Sequence, residues 1–280
     1  MKNTSESKKS KLWGALPAAP YVLWMVAFIV IPLGMVVFFA LTDSQGQFTL
    51  ENIARGGEYM SVLLRSIKLA AIATVLCVLI AYPLAYILSR KQGFQKQTLF
   101  IMVMLPMWMN FLLRTFAWMT ILENNGLINK FVGLFGIGPL HMINTQGAVI
   151  LGMVYNYIPF MILPIYNALC KIDKDVIEAA HDLGASARVT FQKIIIPLSL
   201  PGVISGIIMV FIPSISEFVV ADILGGSKVL LFGNVIDQEF NVANNWNLGS
   251  GLSIVLMIFI FISMAIMNRH ASEEGDNMLW

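Results

Sequence analysis

Long apolar runs separated by short polar stretches set the pattern of this chain. A helix needs about 20 predominantly apolar residues to cross a bilayer. Six runs qualify, near 21–41, 69–89, 99–122, 146–170, 198–221 and 252–267. The pattern predicts an all-α polytopic protein with six transmembrane helices. A single membrane domain covers 1–270, with a short acidic tail over 271–280. The polar segment 171–197 has its own helical signature. Asp175 and Glu178 stand in capping-box register, and Val176, Ala179, Ala180 and Leu183 follow at i, i+3, i+4 and i+7. Gly184 falls where a left-handed helix stop belongs, and Ser186 is placed to cap a second short helix ending before Pro197. A short helix-turn-helix with a face of mostly small residues, set at a membrane surface, has the form of a docking knob for another protein.

Composition agrees with a membrane chain. Of 280 residues 58% are hydrophobic and 12% charged, against about a quarter charged in soluble domains. Orientation follows from lysine and arginine. One side receives twelve of them: Lys2, Lys8, Lys9, Lys11, Arg90, Lys91, Lys96, Lys171, Lys174, Arg188, Lys193 and Arg269. The other side receives five: Arg55, Arg65, Lys68, Lys130 and Lys228. Both termini and segment 171–197 are therefore expected in the cytoplasm. The first apolar run is longer than the 7–15 residues of a signal-peptide core and lacks a small-residue cleavage site, so it reads as an uncleaved span. The net charge of +2 is explained by this topology and gives no sign of a nucleic-acid partner. Cys77 and Cys170 have neither the compartment nor the spacing for a disulfide or metal site.

Ionisable residues inside spans are costly and point to function. Arg114 and Glu217 qualify. Met107, Asn110, Arg114 and Trp118 fall on one helical stripe with Trp108 one face over; Tyr155, Asn156 and Tyr157 sit near mid-depth of the fourth run. Glu217 and Asp222 bracket the outer end of the fifth. An acid pair among aromatic rings suits an organic cation, since carboxylates neutralise ammonium groups and rings add cation–π contact. The alternative is structural: Glu217 pairs with Arg114 and locks two helices together. Prolines 83, 106, 159, 164, 201 and 213 all fall within the runs. Such residues are tolerated where neighbours or a wet cavity satisfy the freed backbone groups.

No Gly-x4-Gly-Lys-Ser/Thr phosphate loop occurs, and Gly225-Gly226-Ser227-Lys228 lacks its spacing. Nor is there a His-Glu-x-x-His, a Gly-x-Ser-x-Gly or a clustered Cys/His group. Energy must come from a partner, and an intramembrane enzyme has no support.

Glu178-Ala179-Ala180, then Gly184 and Ile194-Ile195-Ile196-Pro197, resemble the cytoplasmic EAA loop of ABC-importer permeases. That loop reads Glu-Ala-Ala, three residues, Gly, nine residues, Ile-x-Leu-Pro; the one departure is Ile196 in the Leu position. The resemblance implies that 171–197 carries the coupling helix, with Glu178, Ala179, Ala180, Asp182, Gly184 and Ala185 meeting a nucleotide-binding subunit. Over nearly its whole length the chain also resembles the spermidine/putrescine permease branch. This likeness runs through Leu105-Pro106-Met107-Trp108, Asn110 with Arg114, Asn125-Gly126 and Tyr155 to Pro164. It continues in Asp222 to Gly226 and Gly233 to Ile236. It implies a non-catalytic permease subunit of the bacterial inner membrane with the small ABC-importer fold. A sister permease, a pair of ATP-binding subunits and an extracytoplasmic binding protein would complete the assembly, with ATP held by the partner and no cofactor here. Trp108, Asn110, Tyr155, Tyr157, Glu217 and Asp222 are the expected path residues. Opine, iron or sulfate permeases of the same type are the runner-up, and a non-ABC channel stands behind them.

Overall fold

A computed structural model describes residues 19–277. The basic residues at positions 2, 8, 9 and 11 lie outside it, as do the side chains of the acidic tail. Among the described residues the structure is helices joined by short loops, with one isolated antiparallel bridge between Thr42 and Phe48. Five helices are long and apolar enough to cross a membrane. They are α1 (Pro20–Ala40), α2 (Met60–Arg90), α6 (Gln146–Cys170), α8 (Ala187–Ile215) and the Trp246–Met267 part of α10 (Trp246–Asn277). Between α2 and α6 lie α3 (Gly93–Trp108), α4 (Phe111–Leu122) and α5 (Leu127–Gly133). After α6 comes the short α7 (Lys174–Asp182), and before α10 comes α9 (Phe232–Asn241).

The third predicted span, 99–122, is not one helix. Its two segments, α3 and the Phe111–Gly133 stretch, meet at 89°. The cause is local. Met109 and Asn110 are non-helical, and the Asn110 side chain accepts from the backbone N–H groups of Leu112 at 2.9 Å and Leu113 at 3.2 Å. That side chain is a helix N-cap, which satisfies amides a break would otherwise orphan. The proposed stripe of Met107, Asn110, Arg114 and Trp118 therefore does not exist as one helix face.

Other boundaries move for related reasons. The second span starts at Met60 and the sixth at Trp246, because loop residues extend both helices. The fifth ends at Ile215, so Glu217 stands in a break after it. The second short helix does not stop before Pro197; it runs through a wide π-turn, Phe191–Ile195, into the rest of α8. There the Ile196 N–H reaches back to the Phe191 carbonyl. Pro197 can donate no such bond, and the wide turn lets the helix pass it. The Val26–Val30 turn precedes Pro32 in the same way.

The described chain forms two compact units. The unit joining residues up to Gly57 with Glu239–Val255 is held by two asparagines. Asn52 Nδ2 donates to the carbonyls of Thr42 (2.8 Å) and Ala40 (3.3 Å), and Asn247 Nδ2 donates to those of Thr42 (2.7 Å) and Phe39 (3.1 Å). The unit containing Glu58–Gln238 is built on α6, packed against α2 and α8. Ala70, Ala73, Cys77, Ala81 and Ala85 make a fully buried stripe of small residues along α2. With no hydrophobic drive between helices in lipid, small residues let backbones approach closely enough for dispersion to act. Glycine does the same on α8. A Cβ at Gly202 would meet Ala168 Cβ at 2.5 Å and the Pro164 carbonyl at 2.7 Å.

Gly202→Val should therefore force α6 and α8 apart, at a cost of about 1–3 kcal/mol. Gly34→Val, with nothing within 4 Å of the added carbon, should leave thermal unfolding of the detergent-solubilised protein unchanged. Equal melting of the two variants would contradict this packing.

Candidate functional site

The α7 helix begins at Asp173, whose carboxylate accepts from the Asp175 N–H at 3.2 Å. This corrects the cap expected at Asp175, which is already helical and carries its charge in the first turn. Its exit matches expectation. Gly184 has φ +82°, its N–H donates to the His181 carbonyl at 2.9 Å, and the Ala185 N–H donates to the Ala180 carbonyl at 3.0 Å. These two bonds are a Schellman stop, which requires the left-handed residue glycine supplies at no steric cost. Ser186 Oγ then accepts from the Val189 N–H at 3.4 Å and opens α8. The apolar face is mostly uncovered: Ala180 is buried, while Val176 is 44% and Leu183 89% exposed. Glu178, Ala179 and Asp182 are exposed as well, and Ala185 is half-buried. The helix thus presents small, apolar and acidic groups outward.

The polar groups within the spans gather into two places. In the first, Arg114 is 8% exposed, with its guanidinium carbon 5.9 Å from the Tyr155 ring centroid. Tyr155 packs edge-on against Trp118 at 5.4 Å. Arg114 Nε and Nη1 are buried with no hydrogen-bond partner, and so is Asn156 Oδ1. Asn156 Nδ2 donates to Thr115 Oγ1 at 3.4 Å. In the second, Glu217 is 6% exposed and accepts from the Tyr157 hydroxyl through Oε2 and from the Val220 N–H at 3.0 Å through Oε1. The postulated Arg114–Glu217 ion pair is absent from these contacts; the carboxylate is held instead by a phenol and by an amide freed at the end of α8.

Asp222 has partners of its own. Its Oδ1 accepts from Asn234 Nδ2 at 2.6 Å, and the same nitrogen donates to the Phe218 carbonyl at 2.9 Å. Burial, and secondarily the Asp237 carboxylate, raise the Asp222 pKa above its ordinary value. Asn110 is spent on the helix cap, and Trp108 is 78% exposed at the end of α3. Thr115 and Asn234 were invisible as site residues in sequence. A lone threonine in an apolar run and a lone asparagine in the short α9 give no periodic signal, and only the fold shows their partners.

The chain matches the model of the family "binding-protein-dependent transport system inner membrane component" over residues 81–272. It is 39% identical over 268 residues to the spermidine/putrescine transport system permease protein PotB of Haemophilus influenzae, covering 90% of this chain and 94% of that protein. It is 37% identical over 253 residues to PotB of Escherichia coli strain K12, covering 87% and 92%. Among solved structures it resembles a bacterial ABC transporter that imports the acidic polysaccharide alginate. The TM-score there is 0.73 with 14% identity, covering 96% of this chain and 97% of that one. It also resembles the MetNI methionine ABC transporter in an inward-facing conformation, with a TM-score of 0.59 and 18% identity, covering 77% and 95%. These structures share the fold, that of an ABC-importer permease. The chain therefore belongs to the family of binding-protein-dependent transport system inner membrane components, as a multi-pass membrane permease.

Proposed function

We propose that this permease is one of two membrane subunits of an ATP-driven polyamine importer. The observation carrying this reading is the likeness to the PotB proteins over nearly the whole chain. In the proposed assembly a sister permease completes the path, a pair of ATP-binding subunits holds α7, and an extracytoplasmic binding protein delivers spermidine or putrescine. ATP binding draws the two α7 helices together and opens the path outward; hydrolysis reopens the inside. Both chain ends and α7 face the cytoplasm, and the α9 side faces out. Trp108, Asn110, Tyr155, Tyr157, Glu217 and Asp222 lie along the route. Glu217 is the residue that takes an ammonium group, exchanging its Tyr157 hydrogen bond for the substrate while the Tyr155 and Tyr157 rings pack on the methylenes. Its burial, with the Tyr157 hydroxyl on its carboxylate, supports this role.

Three measurements test the reading. Glu217→Gln preserves volume and removes the charge. Uptake by the reconstituted complex should fall about tenfold or more, corresponding to ~1.4 kcal/mol, and further for spermidine than for putrescine. Melting should hardly change, since no arginine is left unpaired by the substitution. Undiminished spermidine uptake would remove Glu217 from the path.

At α7, Gly184→Val imposes a left-handed conformation costing about 1–2 kcal/mol on a β-branched residue, although the site has space for the side chain. Substrate-stimulated ATPase activity in nanodiscs should collapse, while Gly184→Asn, which tolerates positive φ, keeps most of it. Equal activities would sink the coupling role.

For orientation, single cysteines replacing Lys228 and Lys91, in a background lacking Cys77 and Cys170, should react with an impermeant maleimide from outside intact cells only at position 228. Labelling at 91 would invert the topology.

A further inference from the structure

Where α2 and α6 end, a cavity of about 510 Å³ opens between the α2–α3 turn and α7. Its lining holds four cations, Arg90, Lys91, Lys96 and Lys174, against a single carboxylate, Glu178. The positive-inside bias accounts for lysine and arginine near span ends. It does not account for four of them, drawn from three separate helix ends, surrounding one space. Two of the cations are steadied without being neutralised. The Arg90 guanidinium stands 5.1 Å from the Tyr86 ring centroid, and Lys96 Nζ stands 5.4 Å from that of Tyr166 while donating to Cys170 Sγ at 3.4 Å. Aromatic faces hold such groups in place and leave their charge available. The first turn of α3 also enters the lining at Gly93, with no side-chain cap on its amides, which adds to the local positive potential.

We infer that this cavity binds the phosphate of an anionic group, and that its usual source is a phospholipid headgroup. Both bounding spans, α2 and α6, stop in its wall, at Arg90 and Cys170, so the cavity lies at the depth where headgroups begin. Basic clefts between membrane helices on the cytoplasmic side take anionic headgroups for this reason. The volume also suits a headgroup, within the few hundred to about 1,000 Å³ of small-ligand sites. A phosphate held by Arg90 and Lys91 on one wall and Lys174 on the other ties α7 to the end of α2. The bilayer then contributes to the position of α7, whatever solute the permease carries.

The test uses the full chain with its co-purifying subunits in phosphatidylcholine nanodiscs, with or without phosphatidylglycerol. Native mass spectrometry counts the phosphatidylglycerol retained. Wild type should retain it, and the triple variant Arg90→Gln/Lys91→Gln/Lys174→Gln should retain about tenfold less, since each basic residue near the surface contributes to such binding. Lys130→Gln/Lys228→Gln, which removes two cations elsewhere, should match wild type. Charge-preserving Arg90→Lys/Lys91→Arg should also match it, and the single variant Lys174→Gln should retain severalfold less, which keeps the test decisive if the triple variant fails to assemble. A second arm asks whether inorganic phosphate in neutral nanodiscs slows maleimide labelling of Cys170, an exposed native thiol in the cavity lining. Phosphate protection without lipid retention supports the anion site and assigns it to soluble phosphate. Equal lipid retention by wild type and triple variant, with no protection by phosphate, overturns the inference.

Discussion

Backbone hydrogen bonding in hydrocarbon is the constraint on which this structure turns. Lipid offers no partner to an orphaned N–H or carbonyl, so each place where a helix stops or bends must carry its own replacement. Asn110 supplies it at the break between α3 and α4, accepting from two amides of the new helix. Glu217 supplies it after α8, where Oε1 takes the Val220 N–H. Pro32 and Pro197 each follow a wide π-turn whose closing bond is made by the residue just ahead of the proline. Polar residues that look functional in a run of apolar ones can therefore be backbone partners first.

Arg114 and Glu217 illustrate how the same constraint separates two buried charges. Glu217 is satisfied by Tyr157 and Val220, whereas Arg114 keeps two buried nitrogens without a partner beside an equally unsatisfied Asn156 oxygen. Buried groups left unmade are costly, and the cost is a difference that a conformational change or a bound molecule can relieve. A ligand shifts such an equilibrium only by its differential affinity for the two states. The unsatisfied arginine on α4 can gain bonds in another arrangement, whereas the acid behind α8 can only exchange the ones it has.

Much of this was legible in sequence. Five of six spans follow from apolar run length alone, because crossing a bilayer demands a length that few other pressures produce. The Gly184 stop was legible because a left-handed residue has few chemical solutions. The break at Asn110 was not: a polar residue one turn past a proline reads equally as a stripe member or as a cap, and helical periodicity cannot separate them. The Arg114–Glu217 pair failed for a different reason. Opposite charges at similar depth invite pairing, but depth fixes neither azimuth nor competition, and Tyr157 on α6 holds the acid instead. The basic cavity combines residues 84 positions apart in sequence, Arg90 and Lys174, and no local pattern announces it.

The connection between the two ends of the molecule is mechanical and short. The α7 helix sits between α6 and α8 in the chain, and α8 starts at Ala187, only three residues past the Gly184 stop. From there α8 runs 29 residues to Ile215, about 44 Å at 1.5 Å per residue, and the next residues bring in Glu217. The partner of Glu217 is Tyr157, on α6, the other helix that α7 joins. The Tyr157–Glu217 bond and the α7 turn therefore close a loop through two packed helices. Gly202 and Gly206 keep those helices in contact along the way, where an added Cβ would strike α6 at 2.5 Å and 2.7 Å. Close packing resists continuous deformation and favours discrete arrangements, so a displacement of α7, if the proposed coupling holds, would reach the Glu217 end as a shift of α8 against α6. A carboxylate held by one phenol and one amide is well placed to register such a shift, because sliding either helix changes which of its two bonds survives.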